Sequence, residues 1–121
     1  MKKRPDYGME VILDFYDCDP KAIRSGKIIR NYAIKLCKLI KMKRYGKPMT
    51  PHFGHADPKT SGYSLLQFLE TSSITGHFSE QYNAAYLNIF SCKKFNAKTA
   101  INFSKKVFKP KRLKIRNHIR K

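Results

Sequence analysis

The spacing of hydrophobic positions changes several times along the chain, and each change marks an element. From Met9 to Asp17, Val11, Leu13 and Phe15 alternate with Ile12, Asp14 and Tyr16. That period of two predicts a strand with one face toward a core. Gly8 precedes it and a Cys18, Asp19, Pro20 turn follows. From Gly26 the spacing becomes helical, with Ile28, Ile29, Tyr32, Ala33, Leu36, Cys37 and Ile40 recurring at one, three or four and Ser25 standing where an N-cap belongs. Cys37 falls on the buried stripe.

Arg44 to Gly62 collects Gly46, Pro48, Pro51, Gly54, Pro58 and Gly62, which predicts a loop with room for at most a short strand. Long loops in compact domains are often functional. Tyr63 to Ser73 and Ala84 to Cys92 are both β-like and bracket a polar connection holding Gly76, His77, Ser79 and Asn83. They are predicted to pair as neighbours. Asn96 to Phe108 returns to helical spacing, with Asn96 as N-cap and Pro110 as terminator, and Arg112 to Ile119 reads as a last strand. The predicted fold class is α+β, a two-layer sandwich of a mostly antiparallel sheet with helices packed on one face.

At 121 residues the chain is read as a single domain, 1–121, long enough to bury roughly two thirds of its unfolded surface. Hydrophobic residues at 41% and aromatics at 12% exclude a disordered segment. No apolar run approaches a membrane span and the start MKKRPDYGME has no apolar h-region, so a cytoplasmic protein without membrane contact is expected. Cys18, Cys37 and Cys92 are odd in number and lack CxxC spacing, which reads as free thiols. His52 and His55 lack partners at ligand spacing, so no metal is expected.

Net charge is +18, and residues 93–121 hold twelve Lys or Arg and no acid, while five of the eight acids lie in the first 19 residues. Such a tail can attract nucleic acid through phosphate contacts. That partner is possible through the basic C-terminal region but is not the favoured reading, which is a set of solvated faces.

The stretch Ser64 to Cys92, SLLQFLETSSITGHFSEQYNAAYLNIFSC, carries the candidate chemistry. It resembles the S-adenosylmethionine decarboxylase proenzymes of the short prokaryotic type, which are pyruvoyl-dependent. In that family the serine at the cleavage site has a processing serine at minus eight, a processing histidine at plus five and a proton-donating cysteine at plus twenty. Ser64, Ser72, His77 and Cys92 stand at those offsets, and MEVILDFYDCDP resembles the family's first strand. The resemblance implies self-cleavage between Thr71 and Ser72 into chains 1–71 and 72–121, and a pyruvoyl group generated from Ser72 as the cofactor. It further implies a Schiff base with an amino-acid-type substrate, loss of carbon dioxide, reprotonation by Cys92 and a homodimer of cleaved protomers.

Serine suits the cleavage position because its hydroxyl can convert the preceding peptide to an ester and leave by β-elimination. A threonine would give a longer ketone and an alanine has no leaving group. Departures from the family pattern concern the flanks and the substrate contacts. Thr71 and Ser73 replace the usual glutamate and histidine, and Gln81 takes the place of the ribose-holding glutamate, with Glu80 beside it. Phe53 is the candidate to stack on adenine from a remodelled loop. S-adenosylmethionine, decarboxylated toward spermidine and other polyamines, is the expected substrate. The alternatives are arginine or ornithine, for which Glu10, Asp14, Asp57 and Glu80 are candidate contacts, or an inactive relative serving as a basic nucleic-acid-binding module.

Overall fold

The computed structural model describes residues 4–121. In chain order these form β1 (Gly8–Tyr16), α1 (Pro20–Ile23), α2 (Gly26–Leu39), β2 (Arg44–Met49), β3 (His52–Phe53), β4 (Gly62–Leu69), β5 (Ser72–Ser79), β6 (Ala84–Ser91), α3 (Ala97–Phe108) and β7 (Arg112–Arg120), with a 3-10 turn at Pro58–Thr60. The sheet runs β2-β4-β5-β6-β1-β7, with β3 also paired to β4, and each pairing is antiparallel. Helices cover one face, as the α+β pattern predicts.

Local chemistry sets the helix starts. Ser25 accepts the Ile28 N–H at 3.1 Å and Asn96 accepts the Thr99 N–H at 3.0 Å, each satisfying a donor that the first helical turn leaves unpaired. Pro20 opens α1 behind Asp19, whose carboxylate accepts the Lys21 N–H. That four-residue helix was expected to be only a turn, since so short an element has no periodicity to read.

Two expectations are overturned. Residues 72–79, read as the end of a strand followed by a polar connection, form a separate strand, β5, which lies between β4 and β6 and keeps them from pairing. Its open face is polar, with Ser73, Thr75 and His77, and its covered face offers only Ile74 and Phe78 around Gly76. The span Arg44 to Gly62, expected to be mostly loop, contains the six-residue β2, whose pairing with β4 shifts register between Tyr45 and Met49. The buried Gln67 donates its amide to the Tyr45, Gly46 and Phe68 carbonyls, bracing that irregularity.

Alternation decides the core. Val11, Leu13 and Phe15 from β1, Leu65 and Leu69 from β4, Ile74 and Phe78 from β5, and Leu87 and Ile89 from β6 face the helices. α2 answers with Ile29, Tyr32, Ala33, Leu36 and Cys37, and α3 with Ala100, Ser104 and Phe108. The Tyr32 hydroxyl meets Ser104 Oγ at 2.7 Å, and Ser104 itself donates to the Ala100 carbonyl, so the polar atoms in the helix interface are paired. Phe108 packs edge-on against Tyr32 and tilted against Phe78, joining both helices to the sheet.

Burial also fixes how this core responds to base. Desolvation pushes the Cys37 thiol up to about 11 and the Cys18 thiol up to about 12, from an ordinary 9.0. The unfolded chain can therefore ionise these thiols from about pH 9 while the folded chain holds them neutral. The stability they contribute is complete below pH 9 and is lost as pH rises through 11 to 12. Thermal unfolding under reducing conditions should show the Tm penalty of Cys37→Ala shrinking steadily between about pH 8 and 11. A penalty independent of pH would show that Cys37 ionises alike in both states.

Candidate active site

Leu69 faces Ser72 across the two-residue turn Glu70-Thr71, so the Thr71–Ser72 peptide sits where β4 hands over to β5. Its carbonyl is already engaged: the Cys92 N–H donates to the Thr71 oxygen at 2.9 Å. Ser72 pairs with Ser91 in register, and the Ser72 hydroxyl donates to Ser91 Oγ at 2.6 Å. Met42 Sδ lies 3.1 Å from Ser72 Oγ and Thr71 Oγ1 lies 3.3 Å from it. Ser91 is completely buried, whereas Cys92 just beyond the end of β6 is exposed. The Tyr7 phenol is raised, chiefly by the neighbouring Cys92 thiol, which puts Tyr7, from the segment before β1, beside Cys92.

A second cluster lies at the far end of β4 and β5. Ser64 and His77 are directly opposite one another and join Ser64 Oγ to His77 Nδ1 at 3.2 Å. They line a cleft of about 230 Å³ with Lys59, Thr60, Tyr63, Phe78, Ser79 and Tyr86. Alongside it, His52 Nε2 bonds Glu80 Oε2 at 2.7 Å, and the His52 ring stands edge-on to Tyr63. His55 stacks on His52 and bonds Ser61 through Nδ1. Gly62, at φ +153, opens β4 so close to the Phe78 carbonyl that any Cβ would collide with it. This packs the start of β4 against the end of β5.

The four residues selected by spacing therefore fall into two pairs. Ser72 and Cys92 share one end of the sheet, and Ser64 and His77 share the other. Five residues of extended chain separate Ser72 from His77, about 16 Å at roughly 3.3 Å per residue. The odd offset also turns the two side chains to opposite faces, Ser72 toward Met42 and Ser91 and His77 into the open. One protomer does not bring them together. Glu80 is at the second cluster, held by His52. Gln81 is exposed in the turn between β5 and β6, and Phe53 is exposed on β3 opposite Gly62, and neither lines the cleft.

Of the other acids considered for a cationic substrate, Glu10 takes Arg120 and the Asn88 amide, Asp14 takes Arg116, and Asp57 accepts the Lys59 N–H. Residues not anticipated from the sequence are Ser91, Met42 and Tyr7 at the first cluster and Tyr63 and Tyr86 at the second. Strand register brings in Ser91, Tyr63 and Tyr86, and register is invisible until β5 is recognised as a strand, while Met42 and Tyr7 come from the segments after α2 and before β1. Among the described residues, no helix is long and apolar enough to cross a membrane.

Comparison with known proteins bears on the fold and the family. The crystal structure of the adenosylmethionine decarboxylase from Aquifex aeolicus VF5 is similar to the chain, with a TM-score of 0.80 at 18% identity, covering 97% of this chain and 92% of that one. At that identity the likeness shows the fold, α layer on antiparallel sheet. The sequence profile of the family described as S-adenosylmethionine decarboxylase matches residues 9–121, which includes all three helices and both clusters except Tyr7. The chain belongs to the S-adenosylmethionine decarboxylase family.

Proposed function

We propose that the chain is the self-processing precursor of a pyruvoyl-dependent S-adenosylmethionine decarboxylase, cut between Thr71 and Ser72, whose product supplies aminopropyl groups for spermidine and other polyamines. The observation that carries this reading is the Cys92 N–H on the Thr71 carbonyl, 2.9 Å away, beside the Ser72 hydroxyl. Ser72 Oγ adds to the Thr71 carbonyl carbon, the C–N bond breaks, and an ester replaces the peptide. The oxygen that gathers charge in this addition has the Cys92 amide as a donor in place beforehand.

Removal of the Ser72 Cα proton then breaks the Cβ–Oγ bond, and the oxygen leaves with Thr71 as a carboxylate. The unsaturated residue shifts a proton, takes up water and releases ammonia, leaving a pyruvoyl group at position 72. That group supplies an electron sink for loss of carbon dioxide from an amino acid. Serine at 72 and an activated carbonyl at 71 are the donor set this product requires.

The base for the Cα proton is His77, oriented by Ser64. Because His77 of the same chain is about 16 Å away along β5, it is the His77 of a second copy that meets Ser72. The open sheet face supports such a partner: Tyr16, Phe68, Tyr86 and Phe90 lie on it with no layer above, and sheets pack face to face at about 10 Å. Cys92 delivers the proton to the product carbon. Tyr63 and Tyr86 offer aromatic faces for an adenine or a sulfonium, with Glu80 as the adjacent carboxylate. Glu10 and Asp14, bonded to arginines of β7, are less available to arginine or ornithine, which favours the nucleoside substrate.

Intact mass measurement should find two chains, the C-terminal one blocked by pyruvoyl at residue 72, and this protein should release carbon dioxide from S-adenosylmethionine faster than from arginine or ornithine. Ser72→Ala should stay whole and inactive. Wild-type chain that remains intact on long incubation would remove the reading, while faster release from arginine or ornithine would replace its substrate.

The shared site has its own test. Ser72→Ala and His77→Ala should each remain uncut alone, but when co-expressed the His77→Ala chain should be cut, by the histidine of its partner. Cutting of His77→Ala on its own at the wild-type rate, or no cutting in the mixture, would rule out sharing.

A further inference from the structure

The uncompensated positive charge is not confined to the C-terminal third. Strand β7, in the basic tail, sets Arg112, Arg116 and Arg120 against Asp17, Asp14 and Glu10, so the sheet side carries the acids and much of their compensation. The helix layer carries none. α2 and α3 contain no acidic residue, and Lys27, Arg30, Lys35, Lys38, Lys98, Lys105 and Lys106 are exposed on them. Among the described residues, none of these seven cations takes part in an ion pair. Lys35 and Lys106 line one groove between the two helices, with Asn31 and an apolar floor of Ile28, Phe103 and Val107. Like charges across a groove with no carboxylate repel unless an external anion lies between them.

We propose that the α2–α3 surface is a docking face for the phosphate backbone of nucleic acid, read without sequence preference. Closely set lysines suit a row of phosphates, because each neutralised phosphate releases a condensed counterion. An anionic membrane is the poorer fit. Most of each helix's apolar stripe is in the core, and of the large apolar side chains on this layer only Ile28 and Leu39 are exposed, which leaves little to insert among lipid tails. This surface does not depend on the decarboxylase reading.

Binding of the full-length protein to a generic DNA duplex, followed by fluorescence anisotropy over a salt series, should weaken steeply with salt. Lys35→Gln with Lys106→Gln should lower affinity and flatten the log–log salt slope by about two. Arg112→Gln with Arg116→Gln, removing cations already paired, should change the slope by less than half as much. Equal effects of the two pairs, no effect of the first, or tighter binding to phosphatidylserine vesicles than to the duplex would overturn the proposal.

A separate observation concerns Ser91 and rests on the self-cleavage reading. Its buried oxygen accepts from Ser72 at 2.6 Å and from the Lys93 N–H at 2.9 Å, while its own proton is left for Met42 Sδ at 3.5 Å. Sulfur is a weak acceptor. We infer that Ser91 is a positioning residue for self-cleavage, holding Ser72 Oγ at first and then turning its O–H from sulfur to that same oxygen. The turn comes as the Cβ–Oγ bond breaks and the oxygen takes up carboxylate charge, where an O–H donor gains strength.

Ser91→Ala should slow chain cleavage on the order of 100-fold, as loss of one such donor does, with Tm close to wild type, and Ser91→Thr should restore the rate. Because the defect lies after ester formation, hydroxylamine should cut the Ser91→Ala chain at Thr71, leaving serine instead of pyruvoyl at 72. Wild-type cleavage rates in Ser91→Ala, or a slow variant that hydroxylamine does not cut, would overturn this role. An uncut wild-type chain would instead overturn the reading beneath it.

Discussion

The pairing of β5 with β6, from Ser72 opposite Ser91 to Ser79 opposite Ala84, is the constraint on which both the core and the candidate chemistry rest. Sliding β5 by one residue would expose Ile74 and Phe78 and drive Ser73, Thr75 and His77 toward the helices. At about 2 to 3 kcal/mol for each large apolar side chain, the first effect alone would remove roughly 5 kcal/mol. That is a large share of a domain's total stability, about 5 to 15 kcal/mol, before any penalty for burying an imidazole. Core packing thus holds the register, and the same register sets the Cys92 amide on the Thr71 carbonyl and Ser91 against Ser72. No separate device is needed to aim the Thr71–Ser72 peptide.

How far the sequence discloses this structure depends on how strongly each element is patterned. β1, α2 and α3 carry long unbroken periodicity and good caps, and they appear within a residue or so of where that periodicity puts them. β5 is different because two large apolar side chains, separated by Gly76, are all that mark its buried face, and glycine with polar neighbours ordinarily signals a turn. β2 is obscured by Gly46 and Pro48, tolerated because this strand lies at the sheet edge. The candidate site inherits both effects. Offsets of minus eight, plus five and plus twenty are plain in the sequence, but an offset of five within a strand means separation and opposite faces, which becomes legible only once β5 is seen as a strand.

Charge follows the same division into layers. Acids on the open face meet arginines across β1 and β7, Glu10 with Arg120 and Asp14 with Arg116. Lone charges would make that face costly to cover, since an unpaired ion withdrawn from water is strongly unfavourable, whereas paired and hydrogen-bonded ions are tolerated. Asn88 adds a further donor to Glu10. A second copy can therefore approach this face with its acids already paired, leaving Lys114, in register with Asp14, as a cation without an ion pair there among the described residues, while the lysines of α2 and α3 are left facing solvent.

The topology also shows that a chain cut at the Thr71–Ser72 peptide would hold together. Residues before the cut supply β1 to β4, and residues after it supply β5, β6 and β7. In the sheet these alternate, so that β4 pairs with β5, and β1 lies between β6 and β7. Three full-length strand pairings thus join the two pieces, and α2 from the first packs against α3 from the second through Tyr32, Ser104 and Phe108. Separating the pieces means dismantling the core itself, not undocking one part from another. A new N-terminus made at residue 72 would begin inside the sheet, between Leu69 and Ser91, at a position that folding has already set. A hairpin turn between two such interleaved strands is therefore a place where the backbone can be broken with little loss of order, which a break within β1 or α2 would not permit.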